Sequence, residues 1–229
     1  LISATQMAAI STANLAVMET ADFAKLATNA IVALTTAQAA AITNTQMPVL
    51  TTDQLVKMET ADFAALSTAN IVALTTDQMA SLTTAQLKAL TPTQIVKLET
   101  ADLAALSSAQ IVGIELSDLA LLTTDQVRGL TVAGPLTGLS TAQVKALTAA
   151  QVVALTTAQV AGLTTAQISA IEVQDLSGMG TAQINALTSA QLSSLKNNQV
   201  AALTTDHVQA LSTANFAGLT SGFIQAMEL

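Results

Sequence analysis

Leu155-Thr-Thr-Ala-Gln-Val-Ala-Gly162 is followed without interruption by Leu163-Thr-Thr-Ala-Gln-Ile-Ser-Ala170, one octapeptide written twice. Working outward from this pair, a large aliphatic residue recurs at every eighth position, from Ile2 to Leu130 and again from Leu139 to Met227, giving 29 anchors. The two arrays are separated by a single slip of register, because Leu139 lies nine residues after Leu130. The slip falls in Thr131 to Gly138 (TVAGPLTG), where Gly and Pro cluster, and it reads as a bend or bulge rather than a linker. Residues 1–229 are therefore one repeat domain: a first in-register array over 1–130, an irregular bend over 131–138 and a second array over 139–229.

With the anchor as position 1, the consensus is Leu-Thr-Thr-Ala-Gln-Val-Ala-Ala. Position 6 is the second apolar site, and position 5 is Gln, Asn or Asp in 24 of the 27 regular octads. Position 2 is mostly Ser or Thr, so each octad carries [ST]-x-x-[QND]. This approximates a capping box, in which the hydroxyl accepts from the N3 amide while the N3 side chain reaches back to the N-cap amide. The pattern predicts that a helix starts in every octad, and that position 6 and the following position 1, three apart, share its apolar face.

A strand would place positions 1 and 6 on opposite faces. A single unbroken helix would rotate the apolar stripe by about 80° per octad, since eight residues advance roughly 100° each. The chain must bend at each cap instead. Helices this short are marginal alone, because nucleation is costly; stability has to come from stacking successive octads into a solenoid lined by positions 1 and 6. The fold expected is all-α, a superhelix of very short helices, one per octad. With three octads per superhelical turn the rod would be roughly 90 to 100 Å long. The small residues common at position 8 would let neighbouring helices approach. Charge placement agrees with the helix polarity: Asp53, Asp77, Asp125 and Asp206 occupy position 4, and Lys25, Lys57, Lys97, Lys88, Lys145 and Arg128 occupy positions 7 and 8. Lys196, at position 2, is out of place.

Composition excludes much chemistry. The chain has no Cys and one His among its 229 residues, so a thiol nucleophile, a thiolate zinc site and an imidazole cluster are absent. Seven Lys+Arg against fifteen Asp+Glu give a net charge of −8, the wrong sign for phosphate backbones, and Trp and Tyr, on which single-stranded bases stack, are lacking. Nucleic acid is not an expected partner. Mean hydropathy is +0.56, yet Thr, Ser or Gln breaks every apolar run well short of the ~18 to 20 residues of a membrane span. No enzyme activity is expected.

The sharpest irregularity is a covariation. Whenever position 2 is Glu, position 5 is Asp: Glu19/Asp22, Glu59/Asp62, Glu99/Asp102, Glu115/Asp118 and Glu172/Asp175. Two carboxylates at capping distance repel, and Glu is a poor N-cap, so these ten residues are candidate ligands for Ca2+, the one cofactor the sequence brings into view. The competing explanation is descent, since residues 10–34, 50–74 and 90–114 are near copies at a spacing of 40 and Asp serves the helix dipole. His207 stands at position 5 as a polar replacement for the capping Gln.

Leu90-Thr-Pro-Thr-Gln-Ile-Val-Lys-Leu98 is similar to the first helix of the repeats in transcription-activator-like effectors, whose repeat is far longer and ends in a base-reading loop that no segment here matches. Over its whole length the chain more closely resembles the Ala/Thr/Gln-rich short-repeat tracts (ALTTAQVAALTTAQ and variants) of very large exported or surface-attached Gram-negative proteins. That resemblance implies a non-catalytic extracellular stalk, adhesin or filament. The expected partners are further copies of the chain, stacked head to tail, or flanking repeats of the same parent chain. Neither terminus, Leu1-Ile2 or Met227-Glu228-Leu229, carries a polar capping repeat, which favours stacking. The alternative role is a ligand-binding array for peptide, glycan or Ca2+.

Overall fold

The computed structural model describes residues 2–217 and 219–227; Leu1, Glu228 and Leu229, named above for the two termini, lie outside them. Among the described residues there are helices and no strands. Twenty-five α-helical segments run four to seven residues each, and three octads carry other tight turns at Met47–Val49, Ile111–Gly113 and Val132–Leu136. Nearly every helix begins at position 3 and ends by position 8, as the capping pattern predicts. At Thr156, for example, the hydroxyl accepts from the Gln159 amide at 3.2 Å while Gln159 Oε1 accepts from the Thr156 amide at 2.9 Å. The N-cap and the anchor are extended, at Thr156 with φ −72° and ψ 159° and at Leu163 with φ −63° and ψ 145°, so the chain turns a corner at each anchor.

Three corners make a turn. The helix Thr28–Val32 packs on Ala4–Ala9 before it and Thr52–Lys57 after it; Thr52–Lys57 packs on Thr76–Ser81, and Thr76–Ser81 on Thr100–Ala105. Each helix thus stacks on the one three octads away. The result is a three-sided prism of helices with three octads per turn, the figure on which the length expected from the sequence rests. Its axis is filled by the anchors and the position 6 side chains, from Met7 and Leu15 through Leu155 and Val160 to Val200, in one continuous cluster against which the partly buried Ile10 and Met18 also pack. Small residues at position 8 do face position 3 of the octad beneath. A Cβ on Gly113 would stand 2.7 Å from the Thr84 carbonyl oxygen.

The bend over 131–138 is a local bulge. At Gly134 (φ −135°, ψ −117°) the chain leaves the helical region, and a Cβ there would lie 2.7 Å from Thr131 Oγ1 and 3.2 Å from the Leu106 carbonyl oxygen. The extra residue is absorbed at this corner, and Leu136 and Leu139 return to the core. The octad frame is altered in the last helix, Ser221–Met227. There Phe223 and Ala226 are buried, whereas Ile224, the position 6 residue, is 38% exposed. Phe223 takes the place of the position 5 polar residue and, as N3 of the cap formed by Thr220, points inward. Phe216, also at position 6, is 41% exposed.

Candidate functional site

The most distinctive chemistry of the prism is inside it. Among the described residues all 21 buried polar side chains occupy position 5: Gln throughout both arrays, with Asp62, Asp102, Asp118 and Asp175, Asn70 and Asn215, and His207. Their role in the cap uses only the side-chain oxygen. The amide nitrogen of each Gln points down the axis and donates to main-chain carbonyls of the preceding turn. Gln78 Nε2 reaches the Leu50 oxygen at 2.7 Å and the Met47 oxygen at 2.9 Å, 28 and 31 residues earlier. Gln86, Gln126, Gln167 and Gln191 repeat both bonds at the same separations. One side chain therefore closes the N-terminus of its own helix and bolts that helix to the C-terminal carbonyls of the one beneath.

The ladder also registers the bulge. For Gln143, Gln151 and Gln159 the separations become 29 and 32, and at Gln167 they return to 28 and 31. These three consecutive octads are the ones whose stack spans 131–138, so the inserted residue is taken up within one turn; the bulged octad itself has Gly134 at position 5 and makes no rung. His207 fits the same socket: Nδ1 accepts from the Thr204 amide at 3.3 Å, and Nε2 lies 2.8 Å from the Met179 oxygen, which fixes the tautomer with its proton on Nε2. Where the cap hydroxyl is missing, at Gly180 and Lys196, the Gln still accepts the N-cap amide proton at 2.9 Å.

The acidic octads depart from this scheme. None of Glu19, Glu59, Glu99, Glu115 and Glu172 makes a side-chain cap bond, and an ionised Asp has no proton to give the carbonyl beneath it. Asp22, in the first turn of the described residues, is exposed and 3.6 Å from Lys25. The other four aspartates are buried, and burial pushes each carboxyl above its ordinary value, aided by the adjacent Glu59, Glu99, Glu115 or Glu172. The Thr36 and Thr76 hydroxyls, at position 3 of the octad beneath, hydrogen-bond Asp62 and Asp102 and partly offset that rise. The corresponding places under Asp118 and Asp175 are Pro92 and Ala149, which have no hydroxyl. Instead Glu115 pairs with Lys88 at 3.7 Å and Glu172 with Lys145 at 3.9 Å, each lysine at position 7 of an octad one turn beneath. No two acidic octads lie three apart, so the five pairs do not stack on each other. Among the described residues no three His, Asp or Glu gather as a metal-binding group.

Lys196 has a structural place after all. It stands one turn above Glu172 on the same side, and Thr141, Lys145, Glu172, Gln174, Lys196 and Asn198 line an open groove of about 800 Å³. Several of these are departures from the consensus octad.

The sequence pattern of the ALTTAQ repeat matches five tandem segments, residues 15–52, 55–92, 95–132, 135–165 and 168–205. The chain belongs to the ALTTAQ repeat family. Each full ALTTAQ unit covers five octads, so the repeat of the family and the turn of the prism are different lengths. No curated protein matches the chain. Among the described residues no helix is long and apolar enough to cross a membrane.

Proposed function

We propose that this ALTTAQ array is a non-catalytic structural module, a rod that spaces or builds an extracellular stalk, adhesin or filament. The observation that carries the reading is the amide ladder. It gives every turn a lower face of side-chain donors and an upper face of main-chain acceptors, so turns add in one direction and the chain is stiffened along its axis by hydrogen bonds as well as apolar contact. The absence of Cys, the low charge and the resemblance to tracts of exported Gram-negative proteins support the extracellular setting. The same complementarity supports association head to tail, with further copies or with flanking repeats of a parent chain. Gln6 and Asn14 expose amides at the lower face, and Phe216 and Ile224 expose apolar surface at the upper one. A heterologous contact of this kind gives open fibres unless it closes into a ring. Sedimentation over a range of concentrations, with electron microscopy of the same samples, tests this. Rods lengthening with concentration are expected, and a monomeric rod at every concentration refutes the filament and leaves the spacer.

A second reading, a ligand-binding array, is favoured by the groove between Lys145 and Lys196, where departures from consensus gather on one side. An acidic peptide or glycan fits its two lysines. Lys196→Thr, which restores the consensus cap, should then abolish binding to an acidic glycan array without lowering the melting temperature.

A further inference from the structure

The geometry points to a calcium site formed by Glu59, Asp62, Thr36 and the Leu34 carbonyl. It rests on the buried, partnerless oxygen of Asp62 and the side-chain register, and is independent of the extracellular role.

What replaces the glutamine sets the chemistry. In the regular octads a Gln nitrogen fills the space above the anchor carbonyl one turn beneath, and Asn70, one carbon shorter, still reaches the Ile42 oxygen at 2.8 Å. Asp62 is the same length as Asn, and the anchor carbonyl in the matching place beneath it is that of Leu34. An oxygen now faces an oxygen where a proton was shared. Asp62 is only 3% exposed, and its Oδ2 is buried without any hydrogen-bond partner. The Thr36 hydroxyl, bonded to the same carboxylate, adds a further oxygen, and Glu59 adds a second carboxylate at the mouth. Asp102 has the same kinds of neighbour, Glu99 and Thr76, but no buried oxygen without a partner, so the cation site is placed at Asp62. Carboxylates, a hydroxyl and a carbonyl form an all-oxygen set, which selects a hard cation, with water completing the six to eight ligands of calcium.

The remaining acidic octads act as an internal control. Glu115 and Glu172 each have a lysine at position 7 one turn beneath, and their aspartates have no hydroxyl below them. At Glu59 and Glu99 the residue in the lysine's place is Val32 and Val72, 44% and 40% exposed. Each stacked acidic octad therefore has either a lysine or an extra oxygen, never both. In the first case the chain supplies its own cation; in the second, at Asp62, the site is built to take one from solution. This also accounts for the strict pairing of Glu with Asp, since a buried Asp alone needs no second carboxylate.

The test is calorimetric titration of the full chain with calcium chloride, with magnesium chloride as the control for ionic strength, together with thermal melts in both salts. The expected result is one calcium ion per chain, with a dissociation constant in the ~10⁻⁴ to 10⁻³ M range of extracellular calcium modules and a melting temperature raised by calcium more than by magnesium. The variant Val32→Lys reproduces the Lys88 and Lys145 pairs at an exposed position and so preserves the fold. It should bind no calcium and melt at the same temperature in both salts. Asp62→Asn should likewise lose binding. Absence of calcium binding to the wild-type chain overturns the proposal, as does binding that persists unchanged in the lysine variant.

Discussion

Replacing Gln78 by Ala isolates the ladder from the apolar core. Gln78 accepts one hydrogen bond, from the Thr75 amide at 2.9 Å, and donates two, to the Met47 and Leu50 oxygens. Thr75 is exposed, so water replaces the first partner. The Met47 oxygen keeps its bond from the Leu50 amide at 3.2 Å, but the Leu50 oxygen, on a buried residue, loses its partner. The expected loss is therefore about 1 to 3 kcal/mol, from a side chain that contributes little apolar area. Asp77→Ala, one residue away and exposed, should change stability by less than ~0.5 kcal/mol. Gln78→Glu sharpens the comparison, because it keeps the capping oxygen and removes only the donors. At neutral pH it should be at least as damaging as Ala, and part of the loss should return as pH falls towards about 4.3, as the buried acid takes up its proton and donates again. Urea denaturation followed by far-ultraviolet circular dichroism measures all three. If Gln78→Ala loses no more than Asp77→Ala, the inter-turn bonds contribute nothing and stacking is purely apolar.

Leu155→Ala, at a buried anchor, should lose about 2 to 5 kcal/mol, whereas Ala158→Ser on the exposed first turn should be silent in the same denaturation assay; equal losses would mean the inward face is misassigned. His207→Gln should leave stability within ~0.5 kcal/mol, because Gln makes both bonds of the imidazole, while His207→Ala should destabilise as Gln78→Ala does. Asp118→Asn and Asp175→Asn should each stabilise the chain at neutral pH by about 1 kcal/mol, since Asn donates where Asp cannot. The sign of the pH dependence follows from burial raising the folded-state carboxyls above their ordinary value. The folded chain then holds protons that the unfolded chain releases, so stability falls as pH rises from about 3.8 through the raised folded values. Thermal melts across pH should show that fall in the wild-type chain and a smaller one in the double variant.

The helix in every octad, the corner at every anchor and the inward face of positions 1 and 6 were legible in the sequence, because capping and apolar spacing are local. The second half of the Gln function was not, although a trace of it is present. Capping boxes accept Glu at N3 as readily as Gln, yet no octad has Glu at position 5. Outside the five Glu/Asp octads, a requirement for a donor fits that exclusion. The partner lies a full turn away along the chain, and nothing local announces it until three octads per turn is known. The same holds for the acidic pairs. Their covariation was visible, but Thr36 under Asp62 and Lys88 under Glu115 become neighbours only through the stack. The last helix is capped in frame by Thr220, at position 2 of its octad, but carries Phe223 in place of the polar N3 residue, and Phe223 rather than Ile224 turns inward.

Five octads per family unit and three per turn share no common factor. A feature copied once per unit therefore advances one turn and two-thirds, and successive copies appear on each side of the prism in rotation, as leaves do around a stem. Glu19, Glu59 and Glu99, one per unit, face three different directions. Lengthening such a gene by whole units adds no seam: substitutions inherited by every copy are dealt evenly around the axis. The rod can grow by duplication without acquiring a charged edge or a preferred plane of bending, and any side that is biased, such as the groove at Lys145 and Lys196, records later divergence of individual octads.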